Sequence, residues 1–463
     1  MRRWAITPLL LVALLSACGG KPAGTSPTTS AAPLASKIKH VVIVVQENRS
    51  FDNLFHGFAG ADYADYGYDH LGRRVRLAPV SLRVGYDISH RYNDFLLAYN
   101  GGKMNGFDLV YAGEGQAAVG PPPKNAYPQY AYVPENEIEP YFTMAKRYTL
   151  ADHLFQSNLD QSFGAHLFLI AGQAAHVINV PSGKPWGCDS SPFSRVPTLG
   201  PHRRPGPHVY PCFEFRTLGD ELDAAHLPWR YYAPHVDSQK LWAQIGAQRL
   251  HRRARQAKAP RHGPDFGQLW TAYDAVVHIR YGPDWATNIV SPETSVLSDI
   301  PNGELAAVTW VIPDWKNSDH SDSESDSGPD WVASIVNAVG HSKYWNDTAI
   351  LILWDDSGGW YDHVRPPQVD DDGLGDRVPL IVVSPYAKAG YVSHVPYEFG
   401  SILKFTEHVF GLPPLAASDR RANDLDDCFD FTQAPRPFVT IPTRLTVGDL
   451  LRRRPSLVPP DDD

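Results

Sequence analysis

The chain has 463 residues, with 42 Lys and Arg against 51 Asp and Glu, for a net charge of −9. Hydrophobic residues make up 43% and charged residues 20%, enough to bury a large core, which excludes wholesale disorder. The acidic balance argues against a general nucleic-acid binder, which needs a basic surface to meet phosphates.

Arg2 and Arg3 open the chain, and Leu9 to Leu15 form a short apolar run. A positive start before an apolar run too short to span a bilayer reads as an export signal. Leu15-Ser16-Ala17-Cys18, followed by Gly19-Gly20, resembles a bacterial lipobox, whose cysteine is lipidated and becomes the mature N-terminus. The alternative is an ordinary secretory signal with an incidental cysteine. We expect residues 1–17 to be a lipoprotein signal peptide. Residues 18–37, rich in Pro, Ser, Thr and Ala, are expected to be a flexible tether. The protein is thus expected to be exported and held at a membrane through lipid on Cys18.

The folded part starts near Ile38. Lys39–Gln46 is a β-branched run of the kind found in central strands buried on both faces. It leads directly into Glu47-Asn48-Arg49-Ser50-Phe51-Asp52. A carboxylate and an amide after a buried strand offer oxygen ligands to a hard cation, although a polar turn capping a helix would read the same way. Residues 50–135 have little periodicity and are expected to be long loops; residues 177–215 are similar. Between them, Asp160-Gln161-Ser162-Phe163-Gly164-Ala165-His166 precedes an apolar helical stretch, Leu167–Ala175. A serine at a helix start faces free N–H groups, which suits phosphate binding; its commonest job there is simply to cap the helix. Cys188 and Cys212 sit in Pro-rich sequence and are expected to pair, leaving Cys428 buried.

Thr217–Ala225 has helical spacing, and Leu250–His262 is a basic patch, read as a solvated insertion with contact to anionic lipid as the alternative. Leu305–Ile312 is a second strand, followed by Ser318-Asp319-His320 and an acidic run to Asp330, expected to be a solvated loop. That run lacks the Gly and final Glu of an EF-hand. Trp331–Val339 is an amphipathic helix. The strand Ala349–Trp354 runs into Asp355-Asp356-Ser357-Gly358-Gly359-Trp360-Tyr361-Asp362-His363-Val364. Adjacent carboxylates at a strand end repel unless a cation neutralises them. Leu380–Val383 is a fourth strand and Phe399–Phe410 another amphipathic helix, while 452–463 reads as a disordered tail. The pattern predicts an α/β fold around a mostly parallel central sheet flanked by helices on both faces, with long loops over the active-site edge.

Taken together, Glu-Asn-Arg-Ser-Phe-Asp, a serine before a helix, Trp-Asp-Asp-x-Gly-Gly-x-Tyr-Asp-His-Val, Arg377-Val378-Pro379 and Val383-Ser384-Pro385 resemble the bacterial phosphoesterase family. That family contains non-specific phospholipases C and metal-dependent acid phosphatases. The resemblance runs from about Ile38 to Leu415 and implies an alkaline-phosphatase-like fold for the domain at 38–451. It implies that Glu47, Asn48, Asp355 and Asp356 bind one divalent metal ion, and that Ser162 is the nucleophile of a covalent phosphoserine route. Oxygen ligands favour Mg²⁺, Ca²⁺ or Mn²⁺. Many members read Ser/Thr-x-Pro-Asn-His/Arg after the nucleophile; here Pro and Asn are missing, while Ser162 and His166 hold the matching positions.

His90 and His320 match histidines that contact phosphate in the family. His363 and His394 are further candidates to bind phosphoryl oxygens or protonate the leaving alkoxide. The implied activity is phospholipase C on a phospholipid or small phosphate ester. Two alternatives stay open: an acid phosphatase acting on phosphomonoesters, and an inactive surface-anchored binding protein. A sulfatase is disfavoured, because Ser162 is not followed by the Pro and Arg of the sulfatase motif.

Overall fold

A computed structural model describes residues 37–113, 126–183, 185–234, 270–323 and 325–454. The export signal, the tether up to residue 36, the basic patch at 250–262 and the tail from residue 455 lie outside the described residues. Among the described residues no helix is long and apolar enough to cross a membrane.

The core is a nine-stranded sheet. In chain order its strands are β1 (His40–Gln46), β2 (Thr149–Phe155), β3 (Trp229–Tyr232), β4 (Ile289–Val290), β5 (Val308–Val311), β6 (Thr348–Trp354), β7 (Arg377–Val383), β8 (Tyr391–Ser393) and β9 (Tyr397–Glu398). Their spatial order is β4-β3-β5-β1-β6-β7-β2-β8, with β9 also pairing with β2. All pairings are parallel except those of β7 with β6 and β2, so β7 is the one strand that runs against the rest. The expected mostly parallel α/β sheet is what forms. The β-branched runs of β1, β6 and β7 are buried almost throughout, as strands covered on both faces must be.

The helices that position the site are α1 (Phe51–Phe55), α2 (Glu139–Arg147), α3 (Ser162–Ala171), α4 (Gly328–Gly340) and α5 (Phe399–Phe410). Every residue of α3 is buried, which explains why it is apolar all round rather than amphipathic. It starts five residues earlier than its apolar pattern and stops at Gly172, whose left-handed φ of 63° ends it.

Five strands, β2, β3, β4, β8 and β9, were not visible in the pattern. Asp152 and His153 interrupt the apolar run of β2, and β3 has only four residues. The described residues between 50 and 135 are not bare loops either. They build a cap whose hydrophobic cluster includes Ile88, Phe107 and Tyr130 and is joined by Trp360 from after β6. Cys188 and Cys212 form the expected disulfide, with Cα atoms 4.6 Å apart, and Cys428 is buried and free.

Candidate active site

β1 and β6 are neighbours and parallel, with Gln46 opposite Trp354. The residues that follow each strand, Glu47 and Asp355, therefore emerge at the same level of the sheet's carboxyl edge, where parallel sheets place their sites. The Asn48 backbone N–H donates to Asp355 Oδ1 over 3.0 Å, closing the two strand ends together. Asn48 takes a left-handed φ of 58°, uncommon for a non-glycine residue. Gly358, also left-handed, lies so close that a Cβ there would stand 2.4 Å from the Asn48 carbonyl. Glu47 and Asn48 lie at the sheet edge beside Asp355, while Ser50 caps α1 by accepting from the Asn53 N–H.

Ser162 is the first residue of α3, and Gln161 is its N-cap. Its hydroxyl does not cap the helix; it donates to Asp356 Oδ2 over 3.1 Å. One turn on, His166 Nε2 lies 3.2 Å from Glu47 Oε1 and 3.6 Å from Asp355 Oδ2. His166 had no role assigned from the sequence. Its signal was the spacing of four residues after Ser162, which puts both side chains on one helix face.

His90 joins them. Its Nδ1–H donates to the Ile88 carbonyl, and its Nε2 accepts from Asn48 Nδ2 over 3.1 Å and lies 3.9 Å from Asp356 Oδ1. His320 is buried beside Trp315 and near Asp322, and it partly opposes the upward shift that burial and Asp355 impose on Asp356. The acidic run that carries it is not the solvated loop expected: Ser318 to Asp322 are buried. The reason is that Asp319 is bolted down. Its Oδ2 accepts from the Tyr141 hydroxyl and Trp354 Nε1, its carbonyl accepts from Arg49 Nε, and its N–H donates to Gln46 Oε1. Arg49, a further residue of the first motif, thus holds the segment bearing His320.

His363 and His394 do not join the site. His363 Nδ1 donates to Asp52 Oδ2 over 2.7 Å and its Nε2 faces Asp62 Oδ1 at 3.2 Å. Asp52 and Asp362 flank buried Arg377 in the same network. His394 donates to Asp152, and it is exposed.

The electrostatics of the site ask for a cation. Burial, and then Asp355, hold the pKa of Glu47 well above the carboxylate range; burial and Asp355 do the same to Asp356. Burial pushes His166 down to about 4, which leaves a neutral imidazole able to act as a ligand. Both Glu47 oxygens, Asn48 Oδ1, Asp355 Oδ2 and His166 Nε2 are buried without a hydrogen-bond partner. Buried polar atoms left unpartnered are costly, and several converging on one point fit a metal ion. Glu47, His166 and Asp355 can offer donor atoms within 4.8 Å of one another. A cavity beside Asp356 is lined by Ser89, His90, Phe95, Phe107, Asp160 and Asp376, among others.

The Phosphoesterase family profile matches residues 38–413. The chain is 25% identical to a non-hemolytic phospholipase C of Pseudomonas aeruginosa, over 88% of this chain and 59% of that protein. It is 23% identical to phospholipase C B of Mycobacterium tuberculosis, over 86% and 79% respectively. The chain therefore spans a little over half of the first relative's length. Among solved structures, a protein in the alkaline phosphatase superfamily from Vibrio parahaemolyticus covers 85% of this chain, which covers 72% of it, with 8% identity and a TM-score of 0.35.

Proposed function

The chain belongs to the Phosphoesterase family, and from that premise we propose that it is a metal-dependent phosphoric ester hydrolase of phospholipase C type. The observation that carries this reading is the meeting of the Ser162 hydroxyl and Asp356 beside the unpartnered oxygens of Glu47, Asn48 and Asp355. Those four acidic and amide side chains, with Ser162 and His166 at hand, would hold one divalent cation. When bound, it supplies Lewis-acid neutralisation of phosphoryl charge and a lower hydroxyl pKa for Ser162. His166 adds a nitrogen donor to an otherwise oxygen-rich set.

In this reading Asp356 orients the Ser162 Oγ and takes its proton as Oγ attacks phosphorus in line. The bond from Oγ to phosphorus forms as the bond to the leaving alkoxide breaks. His320, and His90 when it is protonated at Nε2, bind phosphoryl oxygens, and the protonated imidazole gives the leaving alkoxide its proton. Water then cleaves the phosphoserine, returning the serine and releasing the phosphate product. The substrate class is a phospholipid or a small phosphate ester. The amino-terminal sequence supports export and a lipid anchor on Cys18, which would place the enzyme beside its lipid substrate.

The test is to assay p-nitrophenyl phosphate and p-nitrophenylphosphorylcholine side by side, with and without chelator, for wild type and Ser162→Ala. Metal-dependent cleavage of the diester, lost in the variant, is the expected result. Cleavage of the monoester alone would make the protein an acid phosphatase. Full activity in the variant would remove Ser162 as nucleophile, and inactivity on both esters would favour a binding protein.

A further inference from the structure

A second set of donors lies apart from the active site. On β2, Asp152 is buried and His153 is partly exposed; His394 follows β8, the strand that pairs with β2. His153 Nδ1 donates to Asp152 Oδ1 over 2.7 Å, and His394 Nδ1 lies 3.0 Å and 2.8 Å from the two Asp152 oxygens. The three side chains can present donor atoms within 4.8 Å of one another. Asp152 is also held from behind, because Asp62 N–H donates to its Oδ2 over 2.8 Å.

We propose that Asp152, His153 and His394 form a second divalent-cation site, of zinc class and distinct from the catalytic one. The donor chemistry selects the cation: two imidazoles and one carboxylate suit zinc, whereas the oxygen-rich catalytic set suits harder ions. The outer partner is already in place. The other ring nitrogen of His153, Nε2, faces Asp62 Oδ2 at 3.4 Å. With a cation on Nδ1, the proton of His153 moves to Nε2 and is received by Asp62, the arrangement in which a ligating histidine leans on a carboxylate. His394 is 59% exposed, so the site opens to solvent and water fills the remaining coordination positions. Charge points the same way. Among the described residues, the carboxylates of Asp52, Asp62 and Asp362 lie around Arg377, those of Asp52 and Asp62 also reach His363, and that of Asp152 pairs with His153 and His394, so the carboxylates of this network outnumber its one permanent cation. Binding displaces the imidazole protons from Nδ1 to Nε2 or to solvent, and no other bond changes.

The test counts zinc on the full chain, prepared without a histidine tag and stripped by chelator. After equilibrium dialysis against zinc at pH 7.5, wild type is compared with His153→Ala/His394→Ala and with the single His394→Asn, an exposed position whose change does not threaten folding. We expect both variants to hold one zinc equivalent fewer than wild type. Their hydrolysis of p-nitrophenyl phosphate with the catalytic metal supplied should be unchanged. A Glu47→Gln variant should lose catalytic metal but keep the zinc equivalent that depends on His394. Equal zinc counts in wild type and His394→Asn would overturn the proposal and leave the cluster as hydrogen-bonded imidazoles only.

Discussion

The Ser162 hydroxyl donates to Asp356 Oδ2 over 3.1 Å, and Asp356 Oδ1 accepts from the Gly358 N–H over 2.8 Å. One carboxylate therefore aims the serine while a tight turn aims the carboxylate. In Asp356→Asn the shape is kept, but one oxygen acceptor becomes an N–H donor. We expect kcat/KM on p-nitrophenyl phosphate to fall by about 10²- to 10⁴-fold, the range a positioned proton-handling group supplies. Ser162→Ala should lose at least as much while still binding the metal in a calorimeter. An Asp356→Asn enzyme within a factor of about three of wild type would remove the carboxylate from this role.

Gly358 carries a φ of 58°, and an added Cβ would meet the Asn48 carbonyl at 2.4 Å. Gly358→Ala must therefore strain its own backbone and push the strand end that bears Glu47 and Asn48. A destabilisation of about 1–3 kcal/mol follows from the backbone conformation. Activity should fall as well, because the side chains proposed to hold the metal move. A urea titration alongside steady-state kinetics reads both, and unchanged kinetics would show that Asn48 tolerates the shift.

Arg377 is fully buried. Its Nε and Nη2 donate to Asp362, its Nη2 also reaches Asp52 Oδ1 at 3.4 Å, and its Nη1 donates to the carbonyls of Asp62 and Asp152. Arg377→Met removes the charge, leaving Asp362 without its ion pair and Asp52 with His363 alone, a loss of about 3–5 kcal/mol. Chemical denaturation should show this as a large drop in midpoint. A midpoint within about 0.5 kcal/mol of wild type would mean that protons alone satisfy Asp52 and Asp362.

His363 gives a pH dependence with a definite sign. Burial opposes its charge, but the Asp52 hydrogen bond and the charges of Asp52 and Asp362 outweigh that and lift its pKa from 6.5 to about 9. A group whose folded pKa is raised adds stability that is fully present below its unfolded pKa and is lost as pH rises through the folded value. Thermal stability should therefore decline between about pH 6.5 and pH 9. His363→Gln should flatten that part of the curve. Parallel curves for the two proteins would show that His363 is not the titrating group.

Much of the fold was legible in the residues. The β-branched runs of β1, β5, β6 and β7 announced strands buried on both faces, because only such strands tolerate unbroken apolar sequence. The carboxylates after β1 and β6 also stood out, since Glu47 and the Asp355-Asp356 pair follow buried strands directly. β2 did not stand out: Asp152 and His153 break its pattern, and besides each other their partners lie far away in the chain, such as His394, or in a loop, such as Asp62. Likewise nothing local in Asp319–Asp330 announces burial. The polar groups of Asp319 are satisfied by Gln46, Arg49, Tyr141 and Trp354 from other elements, and Asp330 by Arg444.

The sequence by itself determined the parallel α/β class and the chemistry available at the two strand ends, because both follow from local periodicity and residue type. Which histidines reach the Asp356 edge was decided by tertiary structure alone. His90, His166 and His320 are carried to the Asp356 edge by the cap, by α3 and by the segment bolted through Asp319. His363 and His394 are carried instead to Asp52 and Asp152. An imidazole reads the same in any loop, and its role depends on the carboxylate that the fold brings within reach of its nitrogens.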